Sequence, residues 1–265
     1  MAKSMVLPLV TVLLSGLLLA GCGGGVFKVS RDEYRSQVKT LGVLPIIVDE
    51  QSPIRHAQRD GIVSLLRRTA VGKVEASIEE LRQKKGYFDV RYVGEDPRKL
   101  RRQLIVGPLP ALEKSGLPGG YRFAADAAQQ LIEQKVVDAL LVVVLAGVEH
   151  EETRRSRNQL ETLTTTYNDI MATAMVIDAR GRVLWEMTGE KAYPLLALQY
   201  PDFDEAYHNK TDLVTLKEIS LGGLERALTV EQKPDQPPRM APAYRSLIDQ
   251  LVAGLSPSLL TSLGR

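Results

Sequence analysis

The 265-residue sequence contains a single cysteine, Cys22, close to its amino terminus. One thiol cannot form an internal disulfide, and it cannot build a metal site from several cysteines. Tryptophan is as scarce, with Trp185 as the only example. The stability of the folded part must therefore come from a hydrophobic core and not from covalent cross-links.

The sequence also lacks a charge imbalance, because 34 basic residues face 32 acidic ones and the formal net charge is +2. A chain this close to neutral has no global attraction for nucleic acid. Motifs for nucleotide binding and hydrolysis are missing as well: there is no Gly-Lys-Ser/Thr, no Gly-x-Ser-x-Gly and no His-Glu-x-x-His. We predict that the protein has no catalytic residues of its own and needs neither a cofactor nor a metal ion.

What the amino-terminal stretch does contain are the three parts of a secretory signal. Lys3 precedes an apolar run, Met5 to Leu19, which ends in small residues. Residues 19–22, Leu-Ala-Gly-Cys, resemble the lipobox of bacterial lipoproteins. This resemblance implies cleavage between Gly21 and Cys22 and acylation of the Cys22 thiol. The alternative is an ordinary exported protein in which the cysteine has no role.

Acyl chains on Cys22 would hold the protein at a bilayer, since each buried methylene contributes about 0.8 kcal/mol. Residues 23–25 are three glycines, and we predict a flexible tether over residues 22–39. Gly23, and not an aspartate, follows the cysteine. By the sorting pattern of enterobacterial lipoproteins, this indicates the outer membrane, with the protein facing the periplasm.

Hydrophobic patterning predicts strands and helices in alternation over the rest of the chain. In chain order, the predicted elements are strand 41–48, helix 62–81, strand 87–93, helix 124–132, strand 138–145, a hairpin of 160–177 with 182–188, and helix 244–255. The very apolar strand 138–145 is expected at the sheet centre, covered on both faces. The charged residues 149–157 predict a turn. The fold class that follows is α/β (α+β): a mixed β-sheet with a long antiparallel hairpin, packed by about three helices.

These elements divide the chain into a signal peptide (1–21), the tether (22–39) and a single α/β domain (40–265). Two segments interrupt the pattern of the domain. Residues 94–120 form an insertion punctuated by proline and glycine, and residues 190–240 form a second irregular insertion.

Both insertions carry candidates for partner binding. The basic run of the first contains four cations that suit an acidic partner or lipid head groups: Arg98, Lys99, Arg101 and Arg102. The alternative is the solvated face of a short helix. The second insertion contains four aromatic residues of the kind enriched at interfaces: Tyr193, Tyr200, Phe203 and Tyr207. The alternative for these is a lid packed on the domain's own sheet.

Histidines and acidic clusters give weaker signals. His56, His150 and His208 fall in separate predicted loops without the spacing of metal ligands, so we interpret them as structural or solvated. The acidic residues of 202–205 lie near His208 but lack the pattern of a calcium loop. We interpret this cluster as a solvated loop.

Four short motifs occur in a characteristic order. They are VLPI in the first strand, GYFDV at the second, DALLVVV in the third and MVIDARGRVLW across the hairpin. In this order the chain resembles a group of envelope lipoproteins. The group includes the curli-secretion lipoprotein, the lipoprotein activators of penicillin-binding proteins, the exopolysaccharide-export lipoprotein that forms a ring, and the amino-terminal domain of TolB. The resemblance covers roughly residues 40–190. It implies a lipid-tethered α/β domain that binds or assembles protein partners without chemistry of its own.

The sequence thus predicts a membrane-anchored periplasmic lipoprotein, a non-enzymatic adaptor or assembly factor in envelope biogenesis or export. It would act alone or as a homo-oligomer on envelope protein partners. The alternative is a lipid-tethered hydrolase acting on cell-wall or lipid substrates. A deep pocket joining His208 with Asp202 or Glu205 would favour the hydrolase, and a shallow surface would favour the adaptor.

Overall fold

The computed structural model describes residues 25–83, 86–112, 115–230 and 239–255. The predicted signal peptide and the candidate lipidation residue Cys22 lie outside these residues. The described strands are β1 (Val26–Phe27), β2 (Thr40–Val43), β3 (Ile47–Asp49), β4 (Asp89–Tyr92), β5 (Ile105–Pro108), β6 (Tyr121–Phe123), β7 (Ala139–Arg155), β8 (Thr162–Ile177), β9 (Val183–Met187), β10 (Tyr193–Ala197), β11 (Gln199–Pro201) and β12 (Leu216–Glu218). The described α-helices are α1 (Arg31–Gln37), α2 (Arg59–Ala70), α3 (Glu75–Gln83), α4 (Pro97–Leu104), α5 (Ala125–Lys135), α6 (Phe203–His208), α7 (Leu221–Leu228) and α8 (Pro242–Leu255).

Eight of the strands form one mixed sheet, and six of them follow the order β1-β9-β8-β7-β2-β4. β2 runs parallel to β4 and β7, and β3 also pairs with β7 in parallel. The pairs of β8 with β7, β9 and β10 are antiparallel. The predicted α/β class and mixed sheet are confirmed. The described part contains eight α-helices, however, and not about three.

The core lies on both faces of the sheet, and β7 supplies both sides. Leu141, Val143 and Leu145 point into a cluster with α2, α3 and α8. The alternate residues Leu140, Val142 and Val144 point into a second cluster with α4 and α5. All six side chains are fully buried. The apolar run of this strand is long because neither face meets water, as expected for its central position.

Two predicted elements are each divided by a residue that regular structure tolerates poorly. Pro45 lies between β2 and β3, where its missing N–H would leave a gap in the ladder. Gly72 lies between α2 and α3 with a φ of +72°, which ends one helix and starts the next. The predicted strand 41–48 and helix 62–81 are therefore two strands and two helices.

β7 and β8 continue together beyond the sheet as a two-stranded ribbon. Their pairing runs without a break from Leu140 opposite Ile177 to Arg155 opposite Thr162. Residues 149–155 are strand, so the turn predicted over 149–157 is wrong for most of its length. Its β7 half is mostly charged and its β8 half is mostly threonine, and both of its faces are largely exposed.

Most of the predicted tether belongs to the folded body. β1 pairs with β9, and α1 buries Tyr34 against the main core. Residues 26–38 are therefore part of the fold and do not belong to the flexible tether predicted over residues 22–39. The described residues of both insertions form regular structure too: those of the first contain α4 and β5, and those of the second add β10 to the main sheet.

Candidate functional site

The candidate site lies where the parallel strands β2, β3 and β4 end, the edge at which open α/β sheets commonly bind ligands. β3 ends at Asp49, and β4 leads within a few residues to α4. Asp96 caps this helix by accepting a hydrogen bond from the backbone N–H of Arg98 at 2.8 Å. Leu100 and Leu104 are buried one turn apart, whereas Arg98 and Arg102 are exposed.

These cations form one wall of a cleft of about 520 Å³, which we call the arginine cleft. Its lining residues are Asp49, Glu50, Gln51, Arg67, Arg98, Arg101 and Arg102. Four guanidinium groups face two carboxylates, so the cleft carries a local charge of +2. Such a site attracts anions, and guanidinium groups suit carboxylates and phosphates best because they present planar pairs of donors.

Arg101 is committed to the fold. Its Nε donates to the buried carboxylate of Asp49 at 3.1 Å, and the hydroxyl of Tyr121 donates to the same carboxylate at 2.9 Å. Arg101 also bonds the backbone oxygen of Ile105. Burial, and then the negative charge of Asp49, raises the pKa of Tyr121 well above its ordinary value. Asp49 therefore holds Arg101 and Tyr121 in place at the base of the cleft.

Arg67, Glu50 and Arg98 form the rim of the cleft. A terminal nitrogen of Arg67 bonds Glu50, and the Nε of Arg98 lies 3.9 Å from the same carboxylate. Burial, and then the positive charge of Arg98, lowers the pKa of Arg67. The Nε of Arg67 is buried without an acceptor among the described residues. The two guanidinium groups of the rim thus carry more hydrogen-bond donors and positive charge than the single carboxylate of Glu50 can pair.

An apolar hollow of about 320 Å³ adjoins the arginine cleft and shares its rim residues. Its apolar lining residues are Pro45, Ile46, Val48, Ala70, Val71, Val74 and Tyr92. Val71 is 76% exposed and Tyr92 is 44% exposed, so the mouth of the hollow is apolar and open. Three acidic residues, Glu75, Glu95 and Asp96, also line it.

The predicted basic run separates into different roles. Arg98 and Arg102 are exposed, one helical turn apart, and line the cleft. Arg101 is structural, and Lys99 pairs with Glu95 at 3.4 Å. Sequence reasoning missed three features: Glu50, which follows β3; Arg67, which lies in α2; and the hollow at the α2–α3 junction. The acidic pair Asp49-Glu50 directly after a buried strand was the available signal, since such positions meet at one edge of a sheet.

The four aromatic candidates also separate. Phe203 is buried and Tyr193 packs against the main core, as the lid alternative expects. Tyr200 and Tyr207 are exposed. Only the last two are therefore available to a partner.

The residues that the hydrolase alternative requires are engaged otherwise. Lys217 bonds the carboxylates of Asp202 and Glu205, each at 2.9 Å. These bonds raise the pKa of Lys217, while the backbone N–H of Glu205, followed by Lys217, lowers the pKa of Asp202. His208 is exposed at the end of α6, with its ring against Tyr207. Among the described residues, no hydrogen bond or ion pair joins this histidine to Asp202 or Glu205.

A second cluster lies at the base of the ribbon. His150, Glu152 and Asp169 each offer a ligand atom within 4.8 Å of the others, which is close enough for a metal ion. The guanidinium of Arg154 already bonds both Asp169 and Glu152, however. An arginine thus supplies the positive charge that these carboxylates require. His150 lies on a strand and His208 in a helix, and not in loops as predicted.

Comparison with known proteins adds no relative from which a function could be transferred. No protein-family model matches this sequence, and no curated protein is significantly similar to it. Among the described residues, no helix combines the length and apolar content needed to cross a bilayer. The resemblance to envelope lipoproteins stays a prediction from the order of its motifs.

Proposed function

We propose that this protein is a lipid-anchored, non-enzymatic adaptor or assembly factor of the cell envelope, held at the periplasmic face of the outer membrane through Cys22. The observation that carries the proposal is the joined arginine cleft and apolar hollow. Together they offer charge and apolar surface to a ligand. The two acids that line the cleft, Asp49 and Glu50, are both bonded by arginines.

The position of the anchor supports an adaptor. Only residues 23–25 separate Cys22 from β1, which permits a reach of about 14 Å at ~3.5 Å per residue. β1 is at one edge of the sheet and β4, beside the cleft, is at the other. Five strand spacings separate them, a distance of about 24 Å. A membrane anchor at one edge leaves the opposite edge to a partner.

The anchor is tested by Cys22→Ser in cells, with fractionation of the envelope. We expect the wild-type protein in the membrane fraction with an acylated amino-terminal cysteine, and the variant in the soluble fraction. If mass spectrometry finds an unmodified amino terminus upstream of Cys22, the anchor is ruled out.

The adaptor role is tested by photo-crosslinking from an unnatural residue placed at Tyr92. We expect the crosslinks to envelope proteins to weaken in an Arg98→Glu/Arg102→Glu background. They should persist in an Arg155→Glu/Arg157→Glu background, which changes the net charge equally at exposed ribbon residues. Equal crosslinking in all three backgrounds would exclude the cleft as the working surface.

A further inference from the structure

Two electrostatic features of α4 act against its own stability. Arg98 and Arg102 are four residues apart, a spacing at which like charges repel. Arg98 also stands in the first turn, where the helix dipole disfavours a cation. Arg67 adds a third guanidinium from α2. Local rules are broken in this way at functional sites more often than elsewhere.

The donors that face the cleft are only partly used. Arg101 makes three hydrogen bonds within the protein. Within the described chain, the guanidinium of Arg98 has only the 3.9 Å approach to Glu50, and no ion pair of Arg102 is found. Two adjacent, exposed guanidinium groups thus remain for an external anion. Glu50, bonded by Arg67 and 3.9 Å from the Nε of Arg98, shows that a carboxylate fits between the arginines of the rim.

The apolar hollow begins where the cationic rim ends. Arg67 and Arg98 line both spaces, so a ligand that reaches the arginines lies next to the hollow. Its volume of about 320 Å³ is at the lower end of ligand pockets, which suits a side chain or two better than a pair of acyl chains. A bound anion therefore has an apolar group beside it.

The acidic residues of the hollow argue against a membrane surface as the ligand. Glu95 is already paired with Lys99 and Lys135, but Glu75 and Asp96 would repel the phosphates of an anionic bilayer. A single peptide segment can instead place one carboxylate on Arg98 and Arg102 and keep its neighbouring groups away from these acids. The pattern of charges thus favours a polypeptide with discrete charges.

From these contacts, and resting on the proposed adaptor function, we infer that the arginine cleft and hollow bind a partner polypeptide segment in which a carboxylate adjoins an aliphatic side chain. The carboxylate lies between Arg98 and Arg102, and the aliphatic side chain fills the hollow between Val71 and Tyr92. A free carboxyl terminus after leucine is the simplest segment of this kind.

The first test measures fluorescence anisotropy of a labelled Gly-Ser-Gly-Leu-Leu peptide with the acylated protein in detergent micelles. We expect the peptide with a free carboxyl terminus to bind about tenfold more tightly than its amide, because a charge-assisted pair is lost in the amide. Raising the salt from about 0.05 to about 0.5 M should weaken the binding of the free acid. Equal affinities for acid and amide, or binding of neither, would overturn the inference.

The second test uses variants of the cleft. Arg98→Glu/Arg102→Glu should lose the preference for the free acid, whereas Arg155→Glu/Arg157→Glu should retain it. If the first variant fails to fold, as judged from the emission of Trp185, the neutral Arg98→Gln/Arg102→Gln variant replaces it. An unchanged preference in a folded cleft variant contradicts the inference.

The third test identifies the occupant in cells, by photo-crosslinking from position 71. Crosslinks to segments in which Asp, Glu or a carboxyl terminus adjoins an aliphatic residue support the inference. Crosslinks to lipid, or to segments without a carboxylate, overturn it. If Cys22→Ser fails to release the protein, the proposed function fails whatever the peptides do. If release and protein crosslinks are found without preference for the free acid, only this inference fails.

Discussion

The guanidinium of Arg154 lies 3.9 Å from the centre of the Tyr167 ring, across the ribbon formed by β7 and β8. It also bonds the carboxylate of Asp169 and donates to the backbone oxygen of Gln199 at 2.6 Å. Asp169 is 3% exposed and accepts a further bond from the backbone N–H of Leu198. One side chain therefore joins the base of the ribbon to the segment that follows β10.

Removing this guanidinium should destabilise the protein strongly. Arg154→Ala leaves Asp169 buried without its arginine, and we expect a loss of about 3 kcal/mol in the free energy of unfolding. Urea unfolding followed by the fluorescence of buried Trp185 measures it. Arg155→Ala is the matched control, since Arg155 is exposed and should change stability by less than about 0.5 kcal/mol. Similar losses in both variants would show that the contacts of Arg154 are not what stabilises the ribbon.

The second prediction compares Arg101 and Arg102, which are neighbours in the basic run. Arg101→Ala leaves the carboxylate of Asp49 buried without a cation, so we expect about 3 kcal/mol lower stability. Arg102→Ala removes an exposed side chain and should change the free energy of unfolding by less than about 0.5 kcal/mol. The same urea experiment compares the two. Equal stabilities would contradict the structural role of Asp49 as the base of the cleft.

The parts of the fold that could be predicted depend on local patterns. Residues 139–145 are apolar on both faces, which is typical of a central strand. The hairpin turn follows from short-range chemistry as well: Asp178 accepts hydrogen bonds from the backbone of Arg180 and Arg182, and Gly181 has a φ of +69°. All the residues that determine such a turn lie within a few positions of one another in the sequence.

The parts that could not be predicted depend on distant partners. Residues 149–155 resemble a turn because they are charged, yet they are strand because residues 162–168 pair with them. β10 forms because β8 offers a free edge, which no local pattern reveals. The candidate site likewise has a part that local sequence predicts and a part that it does not. Arg98 and Arg102 are visible as a basic run, whereas Glu50 and Arg67 reach them only through the topology of the sheet.

The first described residue provides a third prediction. Gly25 lies against the ring of Trp185, and a Cβ at this position would fall inside the van der Waals distance of three ring atoms. Because Trp185 is fully buried it cannot move aside, so Gly25→Ala should cost about 1–3 kcal/mol of stability. Thermal unfolding of purified protein measures this cost.

Gly222 supplies the control for this substitution. It lies within α7, and a Cβ there would meet no atom within 4 Å. Gly222→Ala should raise stability by up to about 1 kcal/mol, since alanine is the better helix former. If Gly25→Ala also stabilises, the chain does not pass as close to Trp185 as described.

Buried tyrosines give the last prediction, on pH dependence. Burial raises the pKa of Tyr244 to about 12, and its hydroxyl lies 2.8 Å from that of Thr69. The folded state keeps the phenol proton that the unfolded chain releases near pH 10. The contribution of Tyr244 to the free energy of unfolding is therefore complete below about pH 10 and is lost as the pH rises toward about 12. Over this interval the free energy of unfolding should fall by about 1.4 kcal/mol per pH unit for each such tyrosine.

Tyr244→Phe tests this dependence. The variant should show a shallower decline than the wild type between about pH 10 and 12, because one titrating proton is removed. Thr69 keeps its bond to the backbone oxygen of Leu65, so the substitution leaves no unpaired hydroxyl. Tyr207→Phe is the control: Tyr207 is 76% exposed, and its removal should leave the slope unchanged. Parallel slopes for all three proteins would mean that Tyr244 ionises equally easily in the folded and unfolded states, and burial would then have no part in the alkaline unfolding.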